Sequence, residues 1–221
     1  CGARSAKEVQ KMGIEVGNVV TYKDTFMIMN KKFFVGRALD NRIGGFMIAE
    51  VARLLKENKK ELPFGLYITN SVQEEVGLRG AQMITETIRP DVAIVTDVTH
   101  DTHTPMINKI KEGDCAMEKG PVVTFGPSVQ NNLLKLIIDT AKKNKIDIQR
   151  AAASRSTGTD TDAFAFNTGG VASALISLPL RYMHTTVETV AQKDVENVIK
   201  LIYNSLLKIK NNHDFRYLKW L

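Results

Sequence analysis

The residues of this chain that could do chemistry are four carboxylates and one histidine, each placed where a predicted strand ends. They are Asp40, Glu74, Glu75, Asp97 and His184. Carboxylate oxygens bind hard or borderline cations, and a neutral imidazole adds the nitrogen ligand that zinc or cobalt prefers. A close-set group of this kind is typical of a two-metal hydrolase, in which a water shared by the metals loses a proton near neutral pH. The prediction rests on the placement that these residues share, because none of them would justify it alone.

Asp40 lies in the segment Gly-Arg-Ala-Leu-Asp-Asn-Arg-Ile-Gly-Gly. Its position alone favours a helix N-cap, because Asp is preferred there and helical periodicity begins at Asn41. The two glycines that follow, Gly44 and Gly45, weaken a helix but let another backbone come close. An Asp at such a junction can offer one oxygen to each of two metals, so both interpretations stay open.

Glu74 and Glu75 follow the apolar run Leu66–Asn70 and precede a glycine-bearing segment. Adjacent like charges are most often solvated surface. In extended chain, however, neighbouring side chains point to opposite sides. One carboxylate can then bind a metal while the other acts as a general base on a nearby water.

Asp97 closes the apolar run that begins at Asp91, and His184 follows the apolar segment that ends at Met183. An acid at a strand end is also a common turn former, and a lone His is more often a core or surface residue than a ligand. His100 and His103 compete for the ligand role but have no predicted strand to hold them.

The elements that must position these residues alternate between strands and helices. Short strands are predicted at Asn18–Tyr22, Thr25–Met29 and Phe33–Val35. Apolar runs predict buried strands at Leu66–Asn70, Val92–Thr96 and Val171–Leu178, and a further strand is predicted at Asp147–Ala152. Helical spacing of apolar residues predicts helices over 43–55, around 83–84, over 129–137 and over 195–209. This alternation predicts an α/β sandwich around a largely parallel sheet, with a site beyond the carboxyl ends of its strands.

Composition excludes several classes of protein. The chain has 221 residues and a net charge of +6, but its lysines are scattered without aromatic interleaving, which argues against nucleic-acid binding. No apolar run approaches the roughly 20 residues of a membrane span. Two cysteines without metal-site spacing favour a reducing, cytoplasmic setting. The chain opens on Cys1 rather than Met, so we expect it to be a fragment of a longer protein.

Five segments of the chain resemble one known family. They are Val35–Arg42, Gln73–Ala81, Val95–His100, Thr157–Ala163 and Leu180–Glu188. They are similar to segments of the tetrahedral (glutamyl) aminopeptidases, di-metal exopeptidases of which some members are labelled endoglucanase M. The resemblance implies a three-layer, zinc-exopeptidase-like α/β sandwich, peptide substrates, and two divalent metal ions that are zinc or cobalt, with manganese also compatible. It also implies that the full-length form is a homo-oligomer.

The resemblance implies a role for each candidate residue. Asp40 would bridge the two metals, and Glu74 would be the general base. Glu75 and His184 would bind one metal and Asp97 the other. Thr159 and Asp160, in the polar loop that follows Ser154, are expected to line the substrate pocket, although a plain turn is an equal alternative.

The chain departs from the family's pattern at its start. Family members have a further metal-binding His far upstream, before an inserted β domain. We therefore expect residues 1–35 to be the remainder of that dimerisation domain and residues 36–221 to be a catalytic domain that lacks its N-terminal segment. Two alternatives follow: an endoglucanase, as some relatives are labelled, or a folded but inactive fragment.

Overall fold

The strands of the protein join a single seven-stranded sheet in a computed structural model that describes residues 1–216. The strands are β1 (Phe26–Met29), β2 (Phe33–Gly36), β3 (Val92–His100), β4 (Val122–Phe125), β5 (Gln149–Ala152), β6 (Ala172–Arg181) and β7 (Glu188–Ala191). The helices are α1 (Ala6–Lys11), α2 (Leu39–Glu57), α3 (Arg79–Ile88), α4 (Lys109–Glu112), α5 (Asn131–Lys143), α6 (Asp160–Phe166) and α7 (Gln192–Leu206).

The sheet is mostly antiparallel, so the prediction of a largely parallel sheet is wrong. Its order is β1-β2-β7-β6-β4-β5, with β3 added to β6. Only β3–β6 and β4–β5 are parallel, and the other four pairings are antiparallel. The physical reason lies in the short connections from β1 to β2 and from β6 to β7, which antiparallel pairs allow and parallel crossovers do not. The strands β4 and β7, which supply three of those antiparallel pairings, were also not predicted.

Helices cover both faces of the sheet. The larger apolar cluster gathers the buried faces of α2, α5 and α7, whereas Ala81 of α3 and Phe164 of α6 belong to a second cluster. Successive residues of β3 divide between the two, since Ile94 packs against the first cluster and Ala93 belongs to the second. Alternate side chains of a strand point to opposite faces. The sheet is therefore the middle of three layers.

The helix predicted after Asp40 is confirmed as α2, which buries Ile43, Met47, Val51 and Leu55 along one face. The closing helix is also confirmed as α7, but it ends at Leu206 rather than Ile209. In the described part of the chain, no helix combines the length and apolarity that crossing a membrane requires.

Two predicted strands do not form. Asn18–Tyr22 is exposed and irregular, and Leu66–Asn70 is extended but belongs to no strand pair among residues 1–216. The side chain of Tyr67 is 69% exposed. An apolar run predicts burial, but a strand also needs a neighbouring backbone for its N–H and C=O groups. Neither segment has one here.

The N-terminal hairpin continues the main sheet, because β2 pairs with β7 from Phe33 to Gly36. The preceding residues carry only the short helix α1, which buries none of its side chains. The boundary between a β-domain remainder at 1–35 and a catalytic domain at 36–221 stays a prediction.

Candidate metal centre

Three separate turns bring Asp40, Glu75 and His184 together. Asp40 opens α2, Glu75 lies in the turn before α3, and His184 lies in the turn between β6 and β7. His184 Nε2 is 3.1 Å from Asp40 Oδ2 and 3.2 Å from Glu75 Oε1. One ligand atom of each residue lies within 4.8 Å of the other two. The three side chains therefore converge as the sequence predicts, while their role as ligands stays a prediction.

The backbone around these residues is held in unfavourable conformations. Left-handed φ angles occur at five non-glycine residues in the three turns, namely Ala38, Gln73, Leu78, Tyr182 and His184. Each such conformation costs on the order of 1–3 kcal/mol and persists only where the surroundings enforce it. Eight other non-glycine residues in the described part of the chain also have left-handed φ angles, so turns outside the site share this strain.

Glu188, the first residue of β7, fixes two of these turns and was not predicted from the sequence. Its side chain is buried, with the residue only 2% exposed. Its Oε2 accepts a hydrogen bond from Asp40 N at 3.0 Å, and its Oε1 accepts one from His184 N at 2.8 Å. One carboxylate thus sets the distance between Asp40 and His184. Glu188 ends the family-like segment Leu180–Glu188, and it is a lone charged residue at the head of the apolar run Glu-Thr-Val-Ala.

Asn41 ties the start of α2 to the end of β3. Its Nδ2 donates to Thr96 O at 2.9 Å, and its Oδ1 accepts from Gly44 N at 2.9 Å. A Cβ added at Gly44 would lie 2.3 Å from Asn41 Oδ1, which is closer than any real contact. The close approach expected at the glycine pair is therefore real at Gly44, but the group that comes close is a side chain.

The carboxylates of the site disfavour one another's charge. Burial, followed by the charge of Glu75, raises the pKa of Asp40 to about 6. Burial and then Glu75, Asp160 and Asp40 raise the pKa of Glu74 to about 7. His184 lowers both values but does not cancel the rise. Burial is the largest cause of both raised pKa values, and the mutual repulsion of the acids adds to it.

Asp97 lies next to this group but outside the converging trio. It is 7% exposed, and its Oδ1 accepts a hydrogen bond from Val98 N at 2.8 Å. Burial raises the pKa of Asp97 to about 8, opposed by that hydrogen bond and assisted by the charges of Asp40, Glu74 and Asp160. Among the described residues, no histidine joins Asp97 in a second ligand group.

Thr159 and Asp160 have different surroundings. Thr159 is the N-cap of α6, where its buried hydroxyl accepts from Thr161 N and bonds the hydroxyl of Thr157. Asp160 lines the same cavity as Asp40 and Glu74, and it accepts a hydrogen bond from Ser71 Oγ. Its Oδ1 is buried without a hydrogen-bond partner in the described part of the chain. Asp160 therefore faces the cavity, whereas Thr159 shapes the loop.

The competing histidines lie apart from the trio. The His103 ring contacts Lys109 Nζ at 3.0 Å and Asp114 Oδ1 at 3.3 Å on the surface. His100 is the last residue of β3. Arg181, at the end of β6, stacks over the Tyr182 ring at 5.3 Å. None of the three belongs to the ligand group found among residues 1–216.

Comparison with known proteins identifies the family of this chain. Residues 1–201 match the family described as M42 glutamyl aminopeptidase. The chain belongs to this family. The resemblance predicted from the five segments is thereby confirmed, and M42 members are metal-dependent peptidases.

Individual M42 relatives show how much of the family the chain covers. Lysyl aminopeptidase of Pyrococcus furiosus is 37% identical over 209 residues, which is 95% of this chain and 58% of that protein. The TET aminopeptidase of the marine sediment archaeon Thaumarchaeota archaeon SCGC AB-539-E09 superposes with a TM-score of 0.88 at 33% identity, covering 95% of this chain and 59% of that one.

The TET1 peptidase of Pyrococcus horikoshii superposes with a TM-score of 0.78 at 28% identity, over 94% of this chain and 60% of that chain. That peptidase assembles into a tetrahedron or a large octahedral shell. The chain thus spans a little under three fifths of the curated relative it matches.

The residues of the trio fit a divalent cation. They offer two carboxylate oxygens and one imidazole nitrogen, the donors that zinc accepts. Burial raises the pKa of both Asp40 and Glu74, and the charge of Glu75 adds to the rise in each, so a cation would favour the ionised form of these acids. The Nε2 atom points at both acids, so a cation placed among the three would relieve their repulsion and bind all of them.

Proposed function

We propose that this protein is a metal-dependent aminopeptidase that removes N-terminal residues from peptides. The observation that supports it most is the convergence of Asp40, Glu75 and His184 within 4.8 Å in a chain of the M42 family. Glu74, the neighbour of Glu75, lines the cavity beside them. A ligand group and an adjacent free carboxylate are the parts that hydrolysis of a peptide bond needs.

Asp40, Glu75 and His184 would hold one ion, and Asp97 would hold a second that shares Asp40. Zinc or cobalt suits the mixed oxygen and nitrogen donors, and manganese is compatible with the carboxylates. When bound, such ions polarise a carbonyl and make a water easier to deprotonate. Asp97 has one side chain to offer and no imidazole beside it among residues 1–216, so the second site would be the weaker of the two.

Glu74 would act as the general base of the reaction. It would accept a proton from the water that attacks the scissile carbonyl and deliver it to the departing amine nitrogen. A general base works best when its pKa lies near the operating pH. Burial and the neighbouring acids raise the pKa of Glu74 to about 7 in the metal-free chain, and a bound cation would lower it from that value.

Asp160 would contribute to the substrate pocket, since its carboxylate faces the cavity from the N-terminus of α6. Thr159 would act indirectly by fixing the first turn of that helix. We further propose a homo-oligomeric, cytoplasmic protein in its longer form. The assembling TET1 relative supports the first point, and the low number of cysteines supports the second.

The endoglucanase alternative requires two carboxylates that flank a glycosidic bond, about 5–5.5 Å or 6.5–9.5 Å apart according to the stereochemistry. Here Asp40 and Glu75 instead approach one imidazole nitrogen, at 3.1 and 3.2 Å. This geometry favours metal binding. A glucanase would keep its activity in the presence of a chelator, whereas the proposed peptidase would lose it.

The proposal is tested by metal binding together with hydrolysis. Zinc titrated into the 221-residue chain should occupy one site, and His184→Ala should abolish that binding while His213→Ala leaves it intact. In a catalytically active longer form, cleavage should require an unblocked amino terminus, so leucine anilide should react and its N-acetyl form should not. Cleavage of β-glucan that survives chelation would overturn the proposal.

A further inference from the structure

The turn that carries Glu74 and Glu75 is closed by hydrogen bonds of its own backbone. Leu78 N donates to Glu74 O at 3.0 Å, and Gly80 N donates to Val72 O at 2.9 Å. Bonds of this kind set the shape of the turn. They do not set its position against the other residues of the site, because both of their partners lie inside the turn.

The end of this turn is anchored by α3. A Cβ added at Gly80 would lie 2.4 Å from Val72 O and 2.5 Å from Val72 N, so only a glycine lets the helix pack this closely against the turn. The next residue, Ala81, is completely buried and shares an apolar cluster with Phe164 of α6. The packing of α3 on α6 therefore fixes the point at which the chain leaves the turn.

The start of the turn has a different anchor. The chain enters from Leu66–Asn70, which joins no strand pair among residues 1–216. Immediately after this segment, Ser71 Oγ donates a hydrogen bond to Oδ2 of Asp160. In the described part of the chain, no other hydrogen bond ties residues 71–78 to a segment distant in sequence. The entry of the turn is thus held by one side chain and not by a sheet.

Asp160 is a firmly placed acceptor for this hydrogen bond. It is the first residue of α6 and is only 9% exposed. The helix is capped directly before it, where Thr159 Oγ1 accepts from Thr161 N at 3.2 Å. Burial raises the pKa of Asp160, and the hydrogen bond from Ser71 opposes that rise. The bond therefore favours the ionised carboxylate, and hydrogen bonds to ionised acceptors are the stronger ones.

We propose that Ser71 is a positioning residue of the candidate metal centre. Its hydroxyl, held by Asp160, fixes the place at which the turn presents Glu74 and Glu75. Without that hydrogen bond the entry of the turn would be free to move, and Glu75 Oε1 would leave its place 3.2 Å from His184 Nε2. This role rests on the proposed function, because it takes Glu75 as a metal ligand and Glu74 as the general base.

Zinc titration of the 221-residue chain, with a chelating dye as competitor, tests this role. Ser71→Val removes the hydroxyl and should weaken zinc binding by about tenfold or more. Ser71→Thr has nearly the same shape but keeps the hydroxyl, so its zinc affinity should stay within about twofold of the original. Ser156→Ala, at an exposed serine of the loop before α6, should leave zinc binding unchanged. Equal zinc affinity of folded Ser71→Val and Ser71→Thr chains would overturn the proposal.

Replacement of the acceptor tests whether Ser71 acts through Asp160. In an Asp160→Ala chain the acceptor is gone, so adding Ser71→Val should lower zinc affinity by less than about twofold. Effects of the two substitutions that add in full would overturn the proposal. If Asp160→Ala does not fold, the comparison of Ser71→Val with Ser71→Thr decides alone. An unsubstituted chain that binds no zinc would overturn the metal site itself, whereas zinc binding that Ser71→Val leaves intact would overturn only the role of Ser71.

The kinetics of a catalytically active longer form separate positioning from substrate binding. At saturating zinc, Ser71→Val should lower kcat by about tenfold or more and change KM by less than about twofold, because Glu74 is displaced from the water that it deprotonates. A raised KM at unchanged kcat would mean that Ser71 serves the substrate pocket and would overturn the proposal.

Discussion

Replacing Glu188 by Gln should reduce zinc affinity although Glu188 touches no proposed ligand atom. The carboxylate accepts from the backbone N–H groups of both Asp40 and His184. A Gln side chain has one acceptor oxygen and one NH2 group, so one of these two N–H groups would face another donor. Leaving a buried donor unsatisfied costs about 1–3 kcal/mol. The turn that loses its hydrogen bond would relax and carry its ligand out of position.

Two effects of Glu188→Gln on zinc affinity oppose each other. Removing the negative charge lowers the pKa of Asp40 and favours the ligating form, but Glu188 is a smaller cause of that raised pKa than burial and Glu75. Loss of a group that orients a ligand typically costs about 10–100-fold in metal affinity. The loss of ligand positioning should therefore outweigh the lowered pKa of Asp40, and zinc affinity should fall.

The assay is competition between the protein and a zinc-chelating dye, with unfolding by denaturant measured in parallel. Glu196→Gln is the matched control, because the Glu196 side chain is 65% exposed on α7 and its one ion pair within residues 1–216 is with Lys200. The control should change neither zinc affinity nor stability measurably. A folded Glu188→Gln chain whose zinc affinity stays within about twofold of the original would refute the reasoning.

Further changes test other parts of the site. Glu74→Gln should abolish hydrolysis in a catalytically active longer form while bound metal stays near its original level, whereas Glu75→Gln should also lower bound metal, and equal metal loss in both would reverse their roles. Gly44→Ala should displace Asn41 and destabilise the chain by about 1–3 kcal/mol, measured by denaturant unfolding; an unchanged midpoint would contradict the contact. Without metal, the pKa of Asp97 is raised to about 8 in the folded chain. Its protonated form therefore stabilises the fold fully below about pH 4, and this stabilisation is lost as the pH rises through about 8. Asp97→Asn should therefore raise the thermal midpoint at pH 8.5 more than at pH 5, and an equal rise at both would refute this. The turnover number of the 221-residue chain on aminoacyl anilides, with zinc, cobalt or manganese added, should lie far below the usual enzyme median of about 10 per second. A turnover number near that median would show that a local group completes the Asp97 site.

The sequence predicted the parts of the fold that depend on local periodicity. The helix α2 is visible in Ile43, Met47 and Val51 because a buried helical face repeats every three to four residues. The direction of the strands was not predictable in this way. It depends on whether β4 and β7 exist between longer elements, and four-residue strands such as Glu188–Ala191 carry too few residues for a period to emerge.

The candidate site was predictable where chemistry and position coincide. Asp40, Glu75 and His184 are metal-ligating residue types that each follow an apolar run, and their convergence was predicted although the run before Glu75 joins no strand pair in residues 1–216. Glu188 and Asn41 were missed because their function is to hold backbone atoms that are distant in sequence. Glu188 acts on Asp40 across 148 positions of the chain, and Asn41 on Thr96 across 55, so no local pattern could signal either contact.

Several features of the candidate site lower the stability of the metal-free fold. The left-handed turns, the buried Glu188 and the mutually repelling acids all make the metal-free fold less stable than a fold with ordinary residues there. Local choices that conflict with stability persist mainly at functional sites. A cation among Asp40, Glu75 and His184 would remove the repulsion and fix the turns at once. Metal binding should therefore stabilise the whole chain and not only its loops, and the gain should vanish in a chain in which His184 is replaced.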